Sequence, residues 1–127
     1  VMGGIFSEGI DLIGDRLIGA AVVGTGLPQV NCEREILKGY YDEKGEQGFD
    51  YAYRYPGMNK VLQAAGRVIR TKEDTGAILL MDERFLNRDY RNLFPREWND
   101  ACTCTLGNVE KHLQAFWDVS EENDIIC

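Results

Sequence analysis

A continuous apolar run, Ala-Ile-Leu-Leu-Met at residues 77–81, constrains the fold of this chain more than any other feature. A strand with one face in water alternates apolar and polar side chains, whereas a strand covered on both faces is apolar throughout. We therefore expect a central strand of a parallel sheet here. Other short aliphatic runs alternate with helical patterns, which is typical of parallel strands joined by helical crossovers. The predicted strands lie near residues 3–6, 18–24 and 76–81, and the predicted helices near 29–44, 57–70, 83–92 and 107–117.

The length and composition fit one domain. The chain has 127 residues, of which 44% are hydrophobic, so it can bury a modest core. Its first residue is Val rather than Met, and no GxxxxGK[ST] loop occurs to cradle a nucleotide's phosphates. We therefore expect this chain to be a piece of a larger protein. The piece itself lacks the main phosphate-binding loop of an ATPase.

The charge is unevenly distributed. The net charge of −7 argues against a stand-alone nucleic-acid binder, because such domains carry a basic surface. Residues 54–72 nevertheless contain five basic residues and no acid, whereas residues 97–127 contain seven acids against one lysine. A local positive face and an acidic tail are therefore both expected.

The four cysteines are irregularly spaced, and no secretory apolar segment precedes them. We interpret them as reduced thiols of a cytoplasmic protein. Cys102 and Cys104 form a single CxC pair that His112 joins only if the fold happens to bring it there, so no metal site is predicted. No apolar run approaches the roughly 18 residues of a transmembrane helix, and we expect no membrane partner.

The segment Gln63-Ala-Ala-Gly-Arg-Val-Ile-Arg70 places two guanidiniums three residues apart in a predicted helix. At about 100° per residue, one helical face carries the polar residues and the other the apolar ones. Arginine binds phosphate oxygens two at a time, which lysine cannot do, so phosphate is the natural ligand of the polar face. The alternative is a surface helix whose arginines are solvated or pair with carboxylates. The polar face contains Lys60, Gln63, Gly66, Arg67 and Arg70, and the apolar face contains Val61, Leu62, Ala65, Val68 and Ile69.

The segment Ser7-Glu-Gly-Ile-Asp-Leu12 follows the first predicted strand. Open α/β sheets bind ligands at the carboxyl ends of their strands. Gly9 permits a tight backbone path there, and the carboxylates of Glu8 and Asp11 are suited to a ribose, a magnesium-bound water or a partner arginine. By spacing alone, an ordinary turn is the better interpretation.

Together, SEGIDL and QAAGRVIR resemble motifs V and VI of superfamily 2 DNA helicases, and their amino-acid sequences are similar to those of the DinG/XPD branch. The resemblance includes Tyr55-Pro56 and residues 74–85, and it covers roughly residues 3–95. It implies an α/β fold in which a RecA-like parallel sheet is flanked by helices, as in the second motor lobe of P-loop NTPase-type helicases. We expect residues 1–95 to be the later part of that lobe and residues 96–127 to be its C-terminal helix and acidic tail.

The resemblance also implies roles for individual residues. Arg67 and Arg70 are the candidates for an arginine finger, with Arg70 the stronger candidate for the γ-phosphate of ATP. The motif V loop lies between nucleotide and DNA in related helicases and couples the two sites. The implied nucleotide-binding residues are Gln63, Gly66, Glu8, Gly9 and Asp11, and the implied DNA-binding residues are Ser7, Arg54 and Lys60.

The function implied by the resemblance is that of an ATP-dependent DNA helicase translocating 5′ to 3′ on single-stranded DNA. ATP and Mg²⁺ would be held mainly by the first motor lobe of the same protein, so this piece should be inactive alone. Relatives often carry an iron–sulfur cluster in that first lobe, and the cysteines here do not match it. The alternative is a non-catalytic interaction domain that keeps the lobe fold. A GKT loop and a DExH box upstream would favour the helicase.

Three further patterns carry weaker expectations. Tyr51, Tyr53 and Tyr55 repeat every two residues, which predicts an extended segment whose aromatic rings either stack on bases or pack under the next helix. The GxG in residues 22–29 lacks the third glycine of a dinucleotide fold. Asp82 after the buried strand is expected near a helix N-cap.

Overall fold

The computed structural model describes Met2 and residues 17–124. The predicted strand near residues 3–6 and the SEGIDL loop lie outside the described residues. The chain divides into two compact units that meet in sequence between Phe94 and Pro95. In chain order the elements are the strand β1 (Gly19–Val23), the helix α1 (Cys32–Glu43), a π-helical turn (Asp50–Arg54), the helix α2 (Tyr55–Ala65), the strand β2 (Ala77–Met81), a 3₁₀ turn (Glu83–Leu86), the short helix α3 (Arg88–Arg91), a second 3₁₀ turn (Arg96–Trp98) and the helix α4 (Val109–Asp124).

The two described strands pair in parallel. Gly19 lies opposite Ala77, and Val23 lies opposite Met81. The amide of Gly24 donates to the carbonyl of Met81 at 3.3 Å and so continues the pairing beyond β1. This confirms the prediction of parallel strands joined by helical crossovers. In the described part of the sheet, which has only these two strands, the residues of β2 are half-buried or exposed rather than covered on both faces.

α1 begins and ends at local signals. The side chain of Asn31 accepts a hydrogen bond from the amide of Arg34 at 2.9 Å, as N-cap residues do, so the helix starts slightly later than predicted. At the other end Gly45 has a φ of 77°, which favours glycine, and the turn that contains it ends the helix near the predicted residue 44. The carboxylate of Asp42 then accepts from the amide of Gly48 at 2.8 Å and closes that turn.

The tyrosine segment is helical, so the prediction of an extended strand-like segment is wrong. Residues 50–54 form a π-helical turn that leads directly into α2. Tyr53 is consequently buried, whereas Tyr51 lies at the surface and stacks on Tyr41 of α1 with ring centroids 4.0 Å apart. Spacing at every second residue places side chains on one side only if the backbone is extended. Here the backbone instead makes the hydrogen bonds of a helical turn.

α2 ends earlier than predicted. It starts at Tyr55, with Pro56 in its first turn, and stops at Ala65 instead of reaching residue 70. Beyond it the amide of Arg67 bonds to the carbonyl of Ala64 at 3.3 Å, which is the spacing of a tight turn. Glycine is a poor helix former, and Gly66 caps the last turn. Arg67 and Arg70 therefore lie beyond α2, and the prediction of a shared helical face with Lys60 and Gln63 is wrong.

The core of the first unit is formed by α2, by β1 and by the segment after β2. Val22 of β1 and Phe85 and Tyr90 of the segment after β2 are buried together with the apolar side of α2. The helix predicted over residues 83–92 is instead a 3₁₀ turn and α3, because Asn87 between them has an extended backbone. The buried apolar side chains of α2 and its flanks are those of Ala52, Tyr53, Met58, Val61, Ala65 and Val68.

The second unit contains the second 3₁₀ turn and α4. α4 starts near the predicted residue 107 and continues to Asp124, past the predicted end. Its side chains are mostly exposed up to residue 119. Among the residues that the structure describes, no helix has the length and apolarity that crossing a membrane requires.

The loop after β1 rests directly on the start of α2. A Cβ atom added to Gly57 would lie 2.7 Å from the carbonyl oxygen of Thr25, and one added to Gly26 would lie 2.7 Å from the carbonyl oxygen of Gly57. Gly26 also has a φ of 67°, in the left-handed region. Two glycines thus let two backbones touch and hold the loop of residues 24–27 against α2.

This contact makes Gly57→Ala destabilising. Alanine normally stabilises a helical position by up to about 1 kcal/mol relative to glycine, but here its methyl group would meet the carbonyl of Thr25. We expect a net cost of about 1–3 kcal/mol in the free energy of unfolding. Urea denaturation followed by circular dichroism measures it.

Gly39→Ala in α1 is the matched control, because no atom lies within 4 Å of an added Cβ there. We expect it to stabilise the chain by about 0.5 kcal/mol. Equal effects of the two substitutions would contradict the close approach.

Candidate functional site

The segment of residues 66–74, which we call the arginine turn, presents Arg67 and Arg70 after α2. The carboxylate of Asp74 accepts hydrogen bonds from the backbone amides of Arg70 at 2.9 Å and Thr71 at 2.8 Å. These bonds from Thr71 and Arg70 lower the pKa of Asp74 from its ordinary value, because they favour the ionised carboxylate. One carboxylate thus organises the backbone that carries the second arginine.

Val68 holds the arginine turn from the other side. It is only 4% exposed, and its side chain packs so closely that a Cβ added to Gly76 would overlap it. Arg67 is half-buried and Arg70 is exposed on either side of this anchor. Ile69, which was predicted on the apolar face, is 43% exposed, because the chain has left the helix before reaching it.

The other two motif VI residues lie at the end of α2. Gln63 is exposed on the last turn of the helix, and Gly66 caps it. The structure therefore brings Gln63, Gly66, Arg67 and Arg70 together as the end of a helix and the turn that follows it. Their predicted contacts with nucleotide stay predictions.

A second feature is a cleft of about 660 Å³ at the carboxyl end of β1, which we call the strand-end cleft. The loop of residues 24–27 forms one wall, and Lys60 of α2 and Arg84 beyond β2 contribute its charged side chains. Lys60 is among the predicted DNA-binding residues, whereas Thr25 and Arg84 have no role in the sequence prediction. The GxG was the available signal, because Gly24 and Gly26 have φ values of 85° and 67° and shape this loop.

Arg84 is held in place by Asp82. Its Nε and Nη2 atoms donate to the two carboxylate oxygens of Asp82 at 2.9 and 2.8 Å, and its backbone amide donates to the same carboxylate at 2.9 Å. These hydrogen bonds lower the pKa of Asp82 from 3.8 to about 2. The predicted N-cap role of Asp82 is confirmed, although the element it caps is a 3₁₀ turn.

Arg54 is engaged within the first unit. Its guanidinium pairs with Asp50 one turn earlier and lies 3.6 Å from the carboxylate of Asp89. It also lies over the rings of Phe49 and Tyr90, with its central carbon 5.3 and 5.1 Å from their centroids. This geometry favours a role in joining the π-helical turn to α3. The DNA contact predicted for Arg54 stays a prediction.

The remaining predicted site residues, Ser7, Glu8, Gly9 and Asp11, lie outside the described residues. Their placement at the edge of a first strand therefore stays a prediction. Within the described part of the chain, β1, α2 and the 3₁₀ turn after β2 line the strand-end cleft, while the arginine turn follows α2 in the same compact unit.

In the second unit the fold places Cys102 and His112 side by side, with the sulfur 3.7 Å from Nδ1 of the imidazole. Both side chains are exposed. Over Met2 and residues 17–124, no group of three or more His, Cys, Asp or Glu side chains is arranged to hold a metal ion.

Comparison with known proteins points to one family. The chain matches the helicase C-terminal domain family over residues 1–101. It is 35% identical over 89 residues to ATP-dependent DNA helicase DinG of Photobacterium profundum, a match covering 68% of the chain and 13% of that protein. It is 33% identical over 128 residues to ATP-dependent DNA helicase chl-1 of Caenorhabditis elegans, covering 96% of the chain and 15% of that protein. It is 31% identical over 96 residues to the general transcription and DNA repair factor IIH helicase subunit XPD of Dictyostelium discoideum. That match covers 73% of the chain and 12% of that protein.

The pair formed by Asp82 and Arg84 makes a pH-dependent contribution to stability. Asp82→Ala should cost about 1 kcal/mol at pH 7, since it removes the cap and an ion pair that solvent screens at the 43% exposed arginine. The folded pKa of about 2 lies below the ordinary value of 3.8, so this contribution is present above about pH 4 and is lost as the pH falls toward 2.

Urea denaturation of the native chain and the variant between pH 7 and pH 2 measures this difference. Glu73→Gln is the control, because Glu73 is an exposed carboxylate in the loop before β2. A destabilisation by Asp82→Ala that stays constant down to pH 2 would show that the ionised carboxylate is not the stabilising species.

Proposed function

Because this chain belongs to the helicase C-terminal domain family, in the DinG/XPD-like branch of superfamily 2 DNA helicases, we propose that it is the second motor lobe of an ATP-dependent DNA helicase. The chain spans between 12% and 15% of the length of the three relatives described above. The complete enzyme would hydrolyse ATP between two lobes and use the resulting closure and opening to translocate on single-stranded DNA in the 5′ to 3′ direction.

The observation that carries this proposal is the construction of the arginine turn. Arg70 is exposed, while its backbone is bonded to Asp74 and its neighbour Val68 is buried. A side chain that must reach into a site on another lobe needs this combination of a fixed base and an exposed end. An exposed arginine whose backbone had no such anchor would support only a solvated surface role.

The proposed chemistry requires positive charge at the transferred phosphoryl group. When water attacks the γ-phosphorus of ATP, the bond to the ADP oxygen breaks and negative charge spreads over the phosphoryl oxygens. The guanidinium of Arg70 would stabilise that charge, and Arg67 would assist from the same turn. An arginine finger of this kind accelerates the reaction by about 10³ to 10⁵. Gln63 would contact the nucleotide from the end of α2.

The first motor lobe would supply what this chain lacks. The 127-residue chain has no GxxxxGK[ST] loop to cradle the phosphates of ATP. We therefore propose that the metal and most of the nucleotide contacts belong to the partner lobe, and that the 127-residue chain alone does not turn over ATP. Lys60 and Ser7 would contact DNA phosphates, with Arg54 a weaker candidate because of its pairing with Asp50. A cytoplasmic location stays a prediction.

In the complete enzyme, Arg70→Ala should lower kcat by at least about 10³, with little change in the affinity for DNA, because the lost interaction forms mainly in the transition state. Steady-state ATPase assays with saturating single-stranded DNA measure kcat, and fluorescence anisotropy measures the affinity.

Arg67→Lys and Lys72→Ala accompany this measurement. Arg67→Lys keeps the charge and loses the planar donor pair, so it should also lower kcat. Lys72→Ala removes an exposed positive charge from the arginine turn and should leave kcat within about twofold. Normal turnover of Arg70→Ala would overturn the finger assignment.

The motif V acids should couple DNA binding to hydrolysis. Glu8→Gln and Asp11→Asn are each expected to reduce the stimulation of ATPase by single-stranded DNA more than the basal rate, because in relatives this loop lies between both ligands. Basal and DNA-stimulated ATPase measured side by side give the ratio.

Glu33→Gln on the exposed surface of α1 removes a carboxylate outside both motifs and serves as the control. Equal losses of basal and stimulated activity in the motif V variants would assign these acids to the catalytic site. A loss of circular dichroism signal would assign them to the scaffold.

A further inference from the structure

The strand-end cleft has the composition of an anion site. Among the described residues that line it, the charged ones are Lys60 and Arg84, and both are basic, although the chain as a whole carries a net charge of −7. Small residues of β1 and its loop, among them Ala20, Gly24 and Gly26, also line it. The cleft also lies at the carboxyl end of a parallel strand, where α/β proteins bind their ligands.

Thr25 adds a second, independent observation. It lines the cleft and is 1% exposed, and its hydroxyl oxygen has no hydrogen-bond partner among the described residues. A buried hydroxyl without a partner is unfavourable, and native structures keep few of them. Valine has nearly the same shape and would avoid this cost. A ligand that accepts a hydrogen bond inside the cleft accounts for a threonine at this position.

The two cations are held differently. Arg84 is oriented by its paired hydrogen bonds to Asp82, so its guanidinium has a defined direction. Lys60 is half-buried on α2, and no carboxylate in the described region lies within ion-pair distance of it. A lysine in this situation is available for a ligand anion. An oriented guanidinium, an ammonium and a hydroxyl are together the donors that proteins use for phosphate oxygens.

We propose that the strand-end cleft binds a phosphate group through Thr25, Lys60 and Arg84. The two sources of that group are the backbone of single-stranded DNA and the polyphosphate of a nucleotide. The inference rests on the proposed function for the identity of these sources, and it extends that function to two residues, Thr25 and Arg84, outside motifs V and VI. The site is separate from the arginine turn in its residues, so the two proposals succeed or fail independently.

The test titrates the ¹⁵N-labelled 127-residue chain with a dT8 oligonucleotide and, separately, with ATP at low ionic strength. We expect amide shifts in residues 24–27 and at Lys60, with a dissociation constant for the bound ligand of about 10⁻⁴ M or weaker. Lys60→Gln should weaken binding about tenfold. Thr25→Val should weaken it at least about threefold while the melting temperature stays equal or rises, because the buried hydroxyl has been removed.

Two matched variants control for charge and for shape. Lys111→Gln makes the same charge change in the other compact unit, and Thr75→Val makes the same side-chain change at an exposed loop position. Neither should alter binding. If DNA is the source, Lys60→Gln should also reduce the slope of log K against log salt by about 0.7, the value for one phosphate contact on a single strand.

The outcomes separate the sources. Weakened binding of dT8 with a reduced salt slope assigns the cleft to the DNA backbone, and weakened binding of ATP alone assigns it to a nucleotide. Shifts that avoid residues 24–27, or equal affinities of Lys60→Gln and the native chain for both probes, would overturn the proposal. Normal turnover of Arg70→Ala would overturn the finger assignment and leave this proposal standing.

Discussion

Parallel pairing of β1 with β2 is the interaction on which the rest of the first unit depends. Because Val23 lies opposite Met81, both strands leave the sheet at the same edge. The hydrogen bond from Gly24 to Met81 carries this alignment into the loop that forms the strand-end cleft. A slip of one residue would turn every side chain of a strand to the other face, and it would expose Val22. The register thus determines both the core and the cleft.

α2 connects this sheet edge to the motif VI arginines. Its start touches the loop after β1 through Gly57, and its middle contributes Lys60 to the cleft. Its end at Gly66 then releases the chain into the arginine turn. If the helix continued, Arg67 and Arg70 would follow its surface at about 100° per residue. Because the helix ends at Gly66, Val68 is buried in the core, while Arg67 and Arg70 lie on either side of it in the arginine turn. α2 therefore contributes Lys60 to the strand-end cleft, and its end determines where the arginine turn begins.

Local signals in the sequence were sufficient for much of the fold. The continuous apolar run gave β2, Asn31 and Gly45 mark the ends of α1, and Asp82 caps the turn after β2. Each of these depends on contacts within a few residues, which a sequence pattern records directly. One error lies in a segment that also contacts a distant part of the chain. The tyrosine repeat reads as a strand, yet the segment is helical, and Tyr53 bonds to Glu35 of α1.

In the candidate site, too, some features were predictable from the sequence and others depend on the fold. Motif VI was recognisable in the sequence because it is contiguous, but its arginines lie on a turn held by Asp74 and Val68 instead of on a helix. Arg54 looked like a DNA contact as part of a basic run, and the fold pairs it with Asp50. Sequence alone could not assign it, because a carboxylate partner becomes visible only when the helical turn is known. Thr25 stood out in the sequence only as the middle residue of the GxG, since burial and a missing partner are properties of the folded chain.

The sequence by itself determined the family, the alternation of strands and helices and the residue types available for phosphate chemistry. Those properties are carried by side-chain identity and by spacing within short segments, and no neighbour is needed to read them. Only the tertiary structure decided that Lys60, Arg84 and Thr25 line one cleft, that Arg54 is paired and that α2 stops before the arginines. The first of these facts depends on the register of β1 against β2 and on the contact of Gly26 with Gly57. Both are contacts between residues far apart in the chain, and their energies come from packing that no local pattern encodes.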